Sequence, residues 1–186
     1  LSLEHNFSDN VFGYVTATSG YRRGGFNAPT AFTPQTDYQS DNLWNYEAGI
    51  KSTLLDGRLI FNLSAYRIDY TDMQLVVEDP VTLVKSTQNV GNSRIIGVES
   101  LIAFQVHDYL DISFNGSLSD AKLRDDIPGA GIKKDDKLPG SARENFSVQA
   151  SWDQPWNDKL DLFANITYKY TGARNNGFNL DLDDAV

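Results

Sequence analysis

Residues 43–74, LWNYEAGIKSTLLDGRLIFNLSAYRIDYTDMQ, decide the fold. Two runs that alternate apolar and polar residues meet at Asp56-Gly57. Asp-Gly between such runs is a strong hairpin signal, because a type I′ turn needs positive φ at both central residues. Alternation with one apolar face predicts half-buried antiparallel strands. The apolar face of the first run consists of Trp44, Tyr46, Ala48 and Ile50.

The second run of this hairpin is unusually long. Residues 58–75 are 18 positions without Pro or Gly. Ordinary strands have about 5–6 residues, and an unbroken strand of this length reaches about 59 Å. A strand crosses a bilayer in about 9–11 residues. The run therefore predicts a strand that spans a membrane and continues above it.

Similar alternation recurs along the chain. Residues 1–10 resemble the end of a strand and a turn, and seven strands follow at 11–22, 43–54, 58–75, 82–106 (with a break near Gly91-Asn92), 110–119, 143–152 and 159–170. The connections after strands one, three, five and seven are long, whereas those after two, four and six are short. This arrangement is typical of an up-and-down membrane barrel with short periplasmic turns and long outer loops.

The predicted fold class is therefore all-β: an antiparallel up-and-down transmembrane β-barrel. Trp and Tyr near strand ends agree with aromatic girdles. The polar faces fit both a wet lumen and the solvated side of a soluble sheet, so alternation alone leaves both possibilities open. Seven strands do not give the even number usual in bacterial barrels. We therefore expect residues 1–186 to form part of a larger barrel.

Composition excludes several functions. The chain has 186 residues and no cysteine, which excludes disulfides and thiolate sites. Its net charge of −9 disfavours nucleic-acid binding. The only imidazoles are His5 and His107, and no catalytic constellation is evident. We predict neither an enzyme nor a cofactor. Because residue 1 is Leu rather than Met, we expect a fragment or a processed product.

Four segments resemble a known family: GYRRGGFN (20–27), residues 45–74 of the hairpin, NSRIIGVE (92–99) and LPGSARENFSVQASW (138–152). They resemble the C-terminal part of the barrel of TonB-dependent outer-membrane receptors, in the family's order. The resemblance implies a barrel of about 22 strands with a plugged lumen. The sequence shows no plug, no TonB box and no terminal strands, so we expect these to lie outside this segment.

The resemblance also implies a function. Such receptors sit in the outer membrane of Gram-negative bacteria and import a scarce ligand, most often a ferric siderophore. Energy comes from the TonB complex through the N-terminal plug. The implied partners are outer-membrane lipid, the plug domain, the TonB complex and a small-molecule chelate. Two other functions remain open: a soluble or surface β-domain that binds glycan or protein, and a passive porin.

Two groups of residues are candidate sites. The first is predicted to contact an anionic ligand, since guanidinium pairs bidentately with carboxylates and catecholates; its alternative is an interfacial pair beside a Gly-Gly hinge. It comprises Tyr21, Arg22, Arg23, Phe26 and Asn27. The second consists of charges predicted to face the lumen and contact the plug, with solvated lumen charge as the alternative: Glu47, Lys51, Arg94 and Glu99.

No metal site is predicted. Asp181, Asp183 and Asp184 form an acidic cluster, but it lacks the turn glycine and the bidentate Glu of a calcium loop. We interpret this cluster as a solvated loop.

Overall fold

The computed structural model describes residues 1–31, 34–79, 81–127, 132–175 and 177–178. The acidic cluster Asp181, Asp183 and Asp184 therefore lies outside the described residues. Twelve strands are present in the described part: β1 Ser2–Ser8, β2 Val11–Arg22, β3 Gly25–Asn27, β4 Thr36–Tyr38, β5 Asp41–Leu54, β6 Leu59–Thr71, β7 Gln74–Glu78, β8 Lys85–Asn89, β9 Ser93–His107, β10 Leu110–Leu123, β11 Glu144–Asn157 and β12 Leu160–Thr171.

Eight strands form one antiparallel sheet in the order β1-β2-β5-β6-β9-β10-β11-β12. Each strand pairs with the next long strand along the chain, so the predicted up-and-down topology is confirmed. Ser2–Ser8, expected only as the end of a strand, pairs along β2 and makes the count eight. Short turns follow β1, β5, β9 and β11, whereas the long loops 23–40, 72–92 and 124–143 lie at the opposite end of the sheet.

The Asp56-Gly57 hairpin is confirmed. Asp56 has φ 55° and Gly57 has φ 90°, the positive values that a type I′ turn requires. The Arg58 N–H donates to the Leu55 carbonyl at 3.1 Å and closes the turn. The ladder then runs without a register shift from Leu54↔Leu59 to Asn42↔Thr71. Turn chemistry and alternation therefore fix the register of the central hairpin.

The prediction of one unbroken strand over residues 58–75 is wrong. β6 ends at Thr71, and Asp72 has φ 53°, which turns the chain out of the sheet. Gln74–Glu78 instead pairs with Lys85–Asn89 in a separate hairpin. The 13 residues of β6 still exceed the about 9–11 needed to cross a bilayer. β6 is therefore still long enough to cross a bilayer.

The other strand bounds differ modestly from the prediction. The expected break near Gly91-Asn92 separates β8 from β9. β10 extends to Leu123 and β11 extends to Asn157. Pro155 lies within β11, next to a register shift between Pro155 and Asn157, where a missing N–H is tolerated. The connection predicted at DQPWND is thus mostly strand.

Buried apolar side chains collect at one end of the sheet. The buried cluster includes Met73 and Val90 from the loop 72–92, Ala121 and Leu123 from β10, and Ile132 and Leu138 from the loop 124–143. Leu123 is 0 % exposed. The described parts of the two long loops therefore pack on each other and on the end of β10. No helix in the described part of the chain is long and apolar enough to cross a membrane.

Candidate functional site

The two faces of the large sheet have opposite chemistry, and the apolar face is the more exposed. On β5, Trp44 and Tyr46 are each 47 % exposed, and on β12 Ile166 is 72 % exposed. The polar residues between them on β5, Asn45 and Glu47, are half-buried. A soluble sheet buries its apolar face against a core. This sheet does the reverse, as barrels with a lipid-facing exterior do.

The polar face lines a cavity of about 590 Å³, and we call it the inner face. One cross-strand row of directly paired residues runs Tyr14, Gly49, Ser64, Glu99, Ser117, Asn145 and Thr171. A parallel row runs Phe12, Lys51, Asn62, Leu101, Asn115, Ser147 and Lys169. Glu47, Lys51 and Glu99 all line this cavity. The structure therefore brings together three of the four residues predicted to face the lumen.

Tyr14 connects two of these charges. Its hydroxyl donates to Glu47 Oε1 at 2.5 Å, and Lys51 Nζ lies 5.5 Å from the centre of its ring. The ring covers Gly49, where a Cβ would come within 2.6 Å of the tyrosine. Sequence reasoning missed Tyr14. The available signal was Gly49 in mid-strand, because a strand glycine marks a close approach by another group.

Arg94 does not face the lumen. On β9, Arg94 lies on the same face as Ile96 and Val98, and Gly97 and Glu99 lie on the opposite face. Its Nε donates to Asp69 Oδ1 at 2.6 Å, and Asp69 also accepts from Arg67 at 2.7 Å. The prediction failed because residues an odd number of positions apart on a strand point to opposite faces. We call this opposite, apolar side the outer face.

Arg22 is half exposed and belongs to a hydrogen-bonded cluster around the buried Asp41. Asp41 is 1 % exposed and accepts from Arg22 Nε at 2.9 Å, from Arg22 Nη2, and from the backbone N–H of Gln74 at 3.1 Å. Arg22 Nη2 also donates to the Gln74 carbonyl at 3.1 Å. The side-chain amide of Gln74 donates to the carbonyls of Arg23 and Gln39. Arg22 therefore positions the loops 23–40 and 72–92.

Asn27 and Asn89 join the same two loops. Asn27 accepts from the Thr87 N–H and donates to the Thr87 carbonyl, each at 2.8 Å. Asn89 accepts from the Gln39 N–H at 2.7 Å and donates to the Gln39 carbonyl at 3.1 Å. Each side-chain amide thus makes the two hydrogen bonds that the backbone of a neighbouring strand would make. The sequence offered no signal for these links, because the partners lie 50 or more positions apart.

The other predicted ligand residues lie in different parts of the structure. Tyr21 shares the outer face with Ser19, the residue paired with Trp44. Phe26 lies on β3 and is 72 % exposed, and the side chain of Arg23 is also exposed. Within the described residues, no group of three or more His, Asp or Glu could hold a metal ion. The five predicted residues therefore include two that hold the loops together and two on the exposed surface of 23–40.

These features define a class: a section of an antiparallel β-barrel with a polar concave face, an exposed apolar exterior and long loops at one end. The family model for the TonB-dependent receptor-like β-barrel matches residues 1–184. The chain belongs to this family, whose members are transport receptors and not enzymes.

Solved structures share the fold at low identity. The ferric yersiniabactin uptake receptor FyuA from Yersinia pestis superposes with a TM-score of 0.77 at 17% identity, over 96% of this chain and 26% of that one. The ferric preacinetobactin receptor BauA from Acinetobacter baumannii gives 0.68 at 18% identity, over 91% and 25%. A mutant of the ferric enterobactin receptor PfeA from Pseudomonas aeruginosa, in complex with enterobactin, gives 0.58 at 18% identity, over 89% and 27%. The chain thus spans about a quarter of each.

Proposed function

We propose that this chain supplies about a third of the barrel of an outer-membrane receptor that imports a ferric siderophore with energy from the TonB complex. The exposed apolar outer face carries this proposal, because a soluble β-domain that binds glycan or protein would bury such a face. The three solved structures above are named as receptors for ferric siderophores. In a barrel of about 22 strands, as the family resemblance implies, the eight strands of this sheet would form one continuous section.

The inner face is proposed to contact a plug domain supplied by the rest of the protein. Glu47, Lys51 and Glu99 present charge into the cavity. Asn45 lies on the same face, and its Oδ1 is buried without a hydrogen-bond partner among the described residues. A buried acceptor without a donor is costly. A plug segment with Lys, Arg or amide donors would satisfy both the carboxylates and Asn45.

The ligand is proposed to reach the receptor from the end that carries the long loops. The loop 23–40 presents Phe26 and Arg23 to solvent, and Asp41, Asn27 and Asn89 hold this loop against the loop 72–92. An aromatic ring and a guanidinium group suit flat anionic chelates such as catecholates.

An uptake assay tests this function. The complete gene is deleted, and cells grown under iron limitation are given radiolabelled iron as ferric enterobactin, ferric yersiniabactin or ferric preacinetobactin. We expect deletion to abolish uptake of at least one chelate, and a protonophore to do the same in the parent strain. Unchanged uptake of all three would refute a role in importing them. Uptake that survives the protonophore and shows no saturation would indicate a passive porin instead.

A further inference from the structure

Two adjacent lysines lie at the surface of the loop 124–143. Lys133 and Lys134 are both exposed, and we call them the dibasic pair. They directly follow Ile132, which is 4 % exposed and belongs to the buried cluster at the end of the sheet. Trypsin-like proteases recognise lysine side chains, because a carboxylate in their specificity pocket pairs with the ammonium group. The side chains of the dibasic pair are therefore accessible to an enzyme of this kind.

The backbone of the dibasic pair, in contrast, is held in a tight turn. The Lys133 N–H donates to Asp136 Oδ2 and the Lys134 N–H donates to Asp126 Oδ1, each at 2.8 Å. The Lys133 carbonyl accepts the Asp136 N–H at 3.1 Å, and Asp135 within the turn has φ 71°. The carbonyl and the N–H of the peptide bond between the two lysines are therefore both engaged in hydrogen bonds.

This turn is attached to the buried end of β10. The Asp135 N–H donates to the Leu123 carbonyl, and the Leu123 N–H donates to the Asp136 carbonyl, each at 3.0 Å. Leu123 is 0 % exposed and packs in the cluster with Ile132, just before the dibasic pair, and Leu138, just after it. The segment that carries the pair is thus fixed at both ends, so the pair leaves the turn only when the loop detaches from the cluster.

We propose that the dibasic pair is a latent cleavage site for a trypsin-like protease, closed while the loop 124–143 is docked and open when it detaches. The protease must attack the scissile carbonyl and bind its oxygen in an oxyanion hole, whereas the turn keeps the Lys133 carbonyl hydrogen-bonded. Backbone hydrogen bonding thus decides whether this exposed loop is cut. Hydrolysis adds one water to the peptide bond after either lysine, leaving a carboxylate and a protonated amine. The cut separates Ile132 from Leu138.

Limited proteolysis of the full-length receptor tests this proposal. The purified receptor in lipid nanodiscs is treated with trypsin, and cleavage after Lys133 or Lys134 is followed over time by mass spectrometry. We expect slow cleavage in the parent, although both side chains are exposed. The double variant Asp126→Ala, Asp136→Ala should be cut about a hundredfold faster at the pair, at about tenfold for each carboxylate hydrogen bond removed, because the cleavage rate follows the population of the opened loop.

Matched controls separate opening of the turn from a general loss of structure. The variant Asp126→Asn, Asp136→Asn keeps an acceptor oxygen at each position, so its cleavage rate should stay close to that of the parent. Lys85, which is exposed on β8, is the reference within the same digests, and its cleavage should not change. Cleavage of the parent as fast as the Ala variant would refute the proposal, and so would equal acceleration at Lys85 and at the dibasic pair.

Discussion

The carboxylate of Asp41 and the guanidinium of Arg22 form an ion pair at the point where β2 and β5 leave the sheet, and Asp41 is 1 % exposed. Asp41 also accepts the N–H of Gln74 from β7. One buried side chain thus holds together the end of β2, the beginning of β5 and the hairpin of the loop 72–92. The loops 23–40 and 72–92 therefore form a single folded unit rather than two independent loops.

Replacing Asp41 with Ala in the full-length receptor should loosen both loops without unfolding the barrel. The variant leaves the Arg22 guanidinium and the Gln74 N–H without their acceptor. Because the Arg22 side chain is about half exposed, we expect a cost of about 2–3 kcal/mol, below that of a fully buried pair. Hydrogen exchange should rise in 23–40 and 72–92 and stay unchanged in β10 and β11.

A matched control is Asp37→Ala, which removes an exposed carboxylate that accepts only from Gln39 in the described structure. Its exchange profile should match the parent. If Asp41→Ala and Asp37→Ala are indistinguishable, Asp41 does not organise the loops.

The same cluster predicts a pH dependence of the loops. Asp41 lies at the beginning of β5, above the apolar rows. Burial acts to raise its pKa, but hydrogen bonds from Arg22 and from the Gln74 N–H outweigh burial and hold the pKa below its ordinary value of 3.8. Such a carboxyl stabilises the folded loops above its ordinary pKa and loses this contribution as pH falls towards the folded value. Loop protection should therefore be constant from about pH 8 to 5 and decrease below about pH 4.

Asp41→Asn provides the comparison for this pH dependence. The loops of the variant should be less protected from exchange than those of the parent at neutral pH. Their protection should then decrease much less than in the parent when the pH is lowered. Loop protection is measured in both proteins by hydrogen exchange at each pH. If it falls with pH identically in the variant and the parent, carboxyls other than Asp41 cause the decrease.

The fold could be predicted from the sequence because the residues that determine it are close together along the chain. Asp56-Gly57 and the alternation on each side of it define the hairpin within a few positions, and the same rule locates the other long strands. The prediction failed at Asp72, where a non-glycine residue adopts φ 53° and ends β6. Nothing in the run DYTDMQ distinguishes that turn from a continuing strand. The packing of Met73 and Val90 in the loop cluster supplies the reason, and that packing is not local.

A charge on the two faces of β11 should have unequal consequences in a membrane. Val148 lies on the outer face between Phe114 and Tyr168, in the middle of the apolar rows. Val148→Arg should reduce the free energy of unfolding by about 2–4 kcal/mol in lipid vesicles. Gln149→Arg places the same charge on the opposite, inner face and should cost less than about 1 kcal/mol. Urea titration of the full-length receptor measures both, and equal costs would argue against a lipid-facing outer face.

The candidate site was less readable than the fold, for reasons that particular residues show. Glu47, Lys51 and Glu99, assigned to one face by alternation, line the same cavity, and a simple parity count would have placed Arg94 on the other face. The role of Asn27 depends on Thr87, which is 60 positions away. Links of this kind arise from how two loops meet, and a single sequence contains no period or turn motif that reports them.

We expect Gly97 to be needed for the stability of the sheet, because the ring of Tyr66 lies across it. The two residues are directly paired on β6 and β9, and a Cβ at Gly97 would come within 2.5 Å of the tyrosine hydroxyl and Cζ. Gly97→Ala must therefore swing the ring into the cavity, at a cost of about 1 kcal/mol or more. Introduced into a Tyr66→Ala background, the same substitution should cost far less, because the opposing ring is gone. A double-mutant cycle from urea unfolding in lipid measures the difference, and additive costs would show that the ring and the glycine are not coupled.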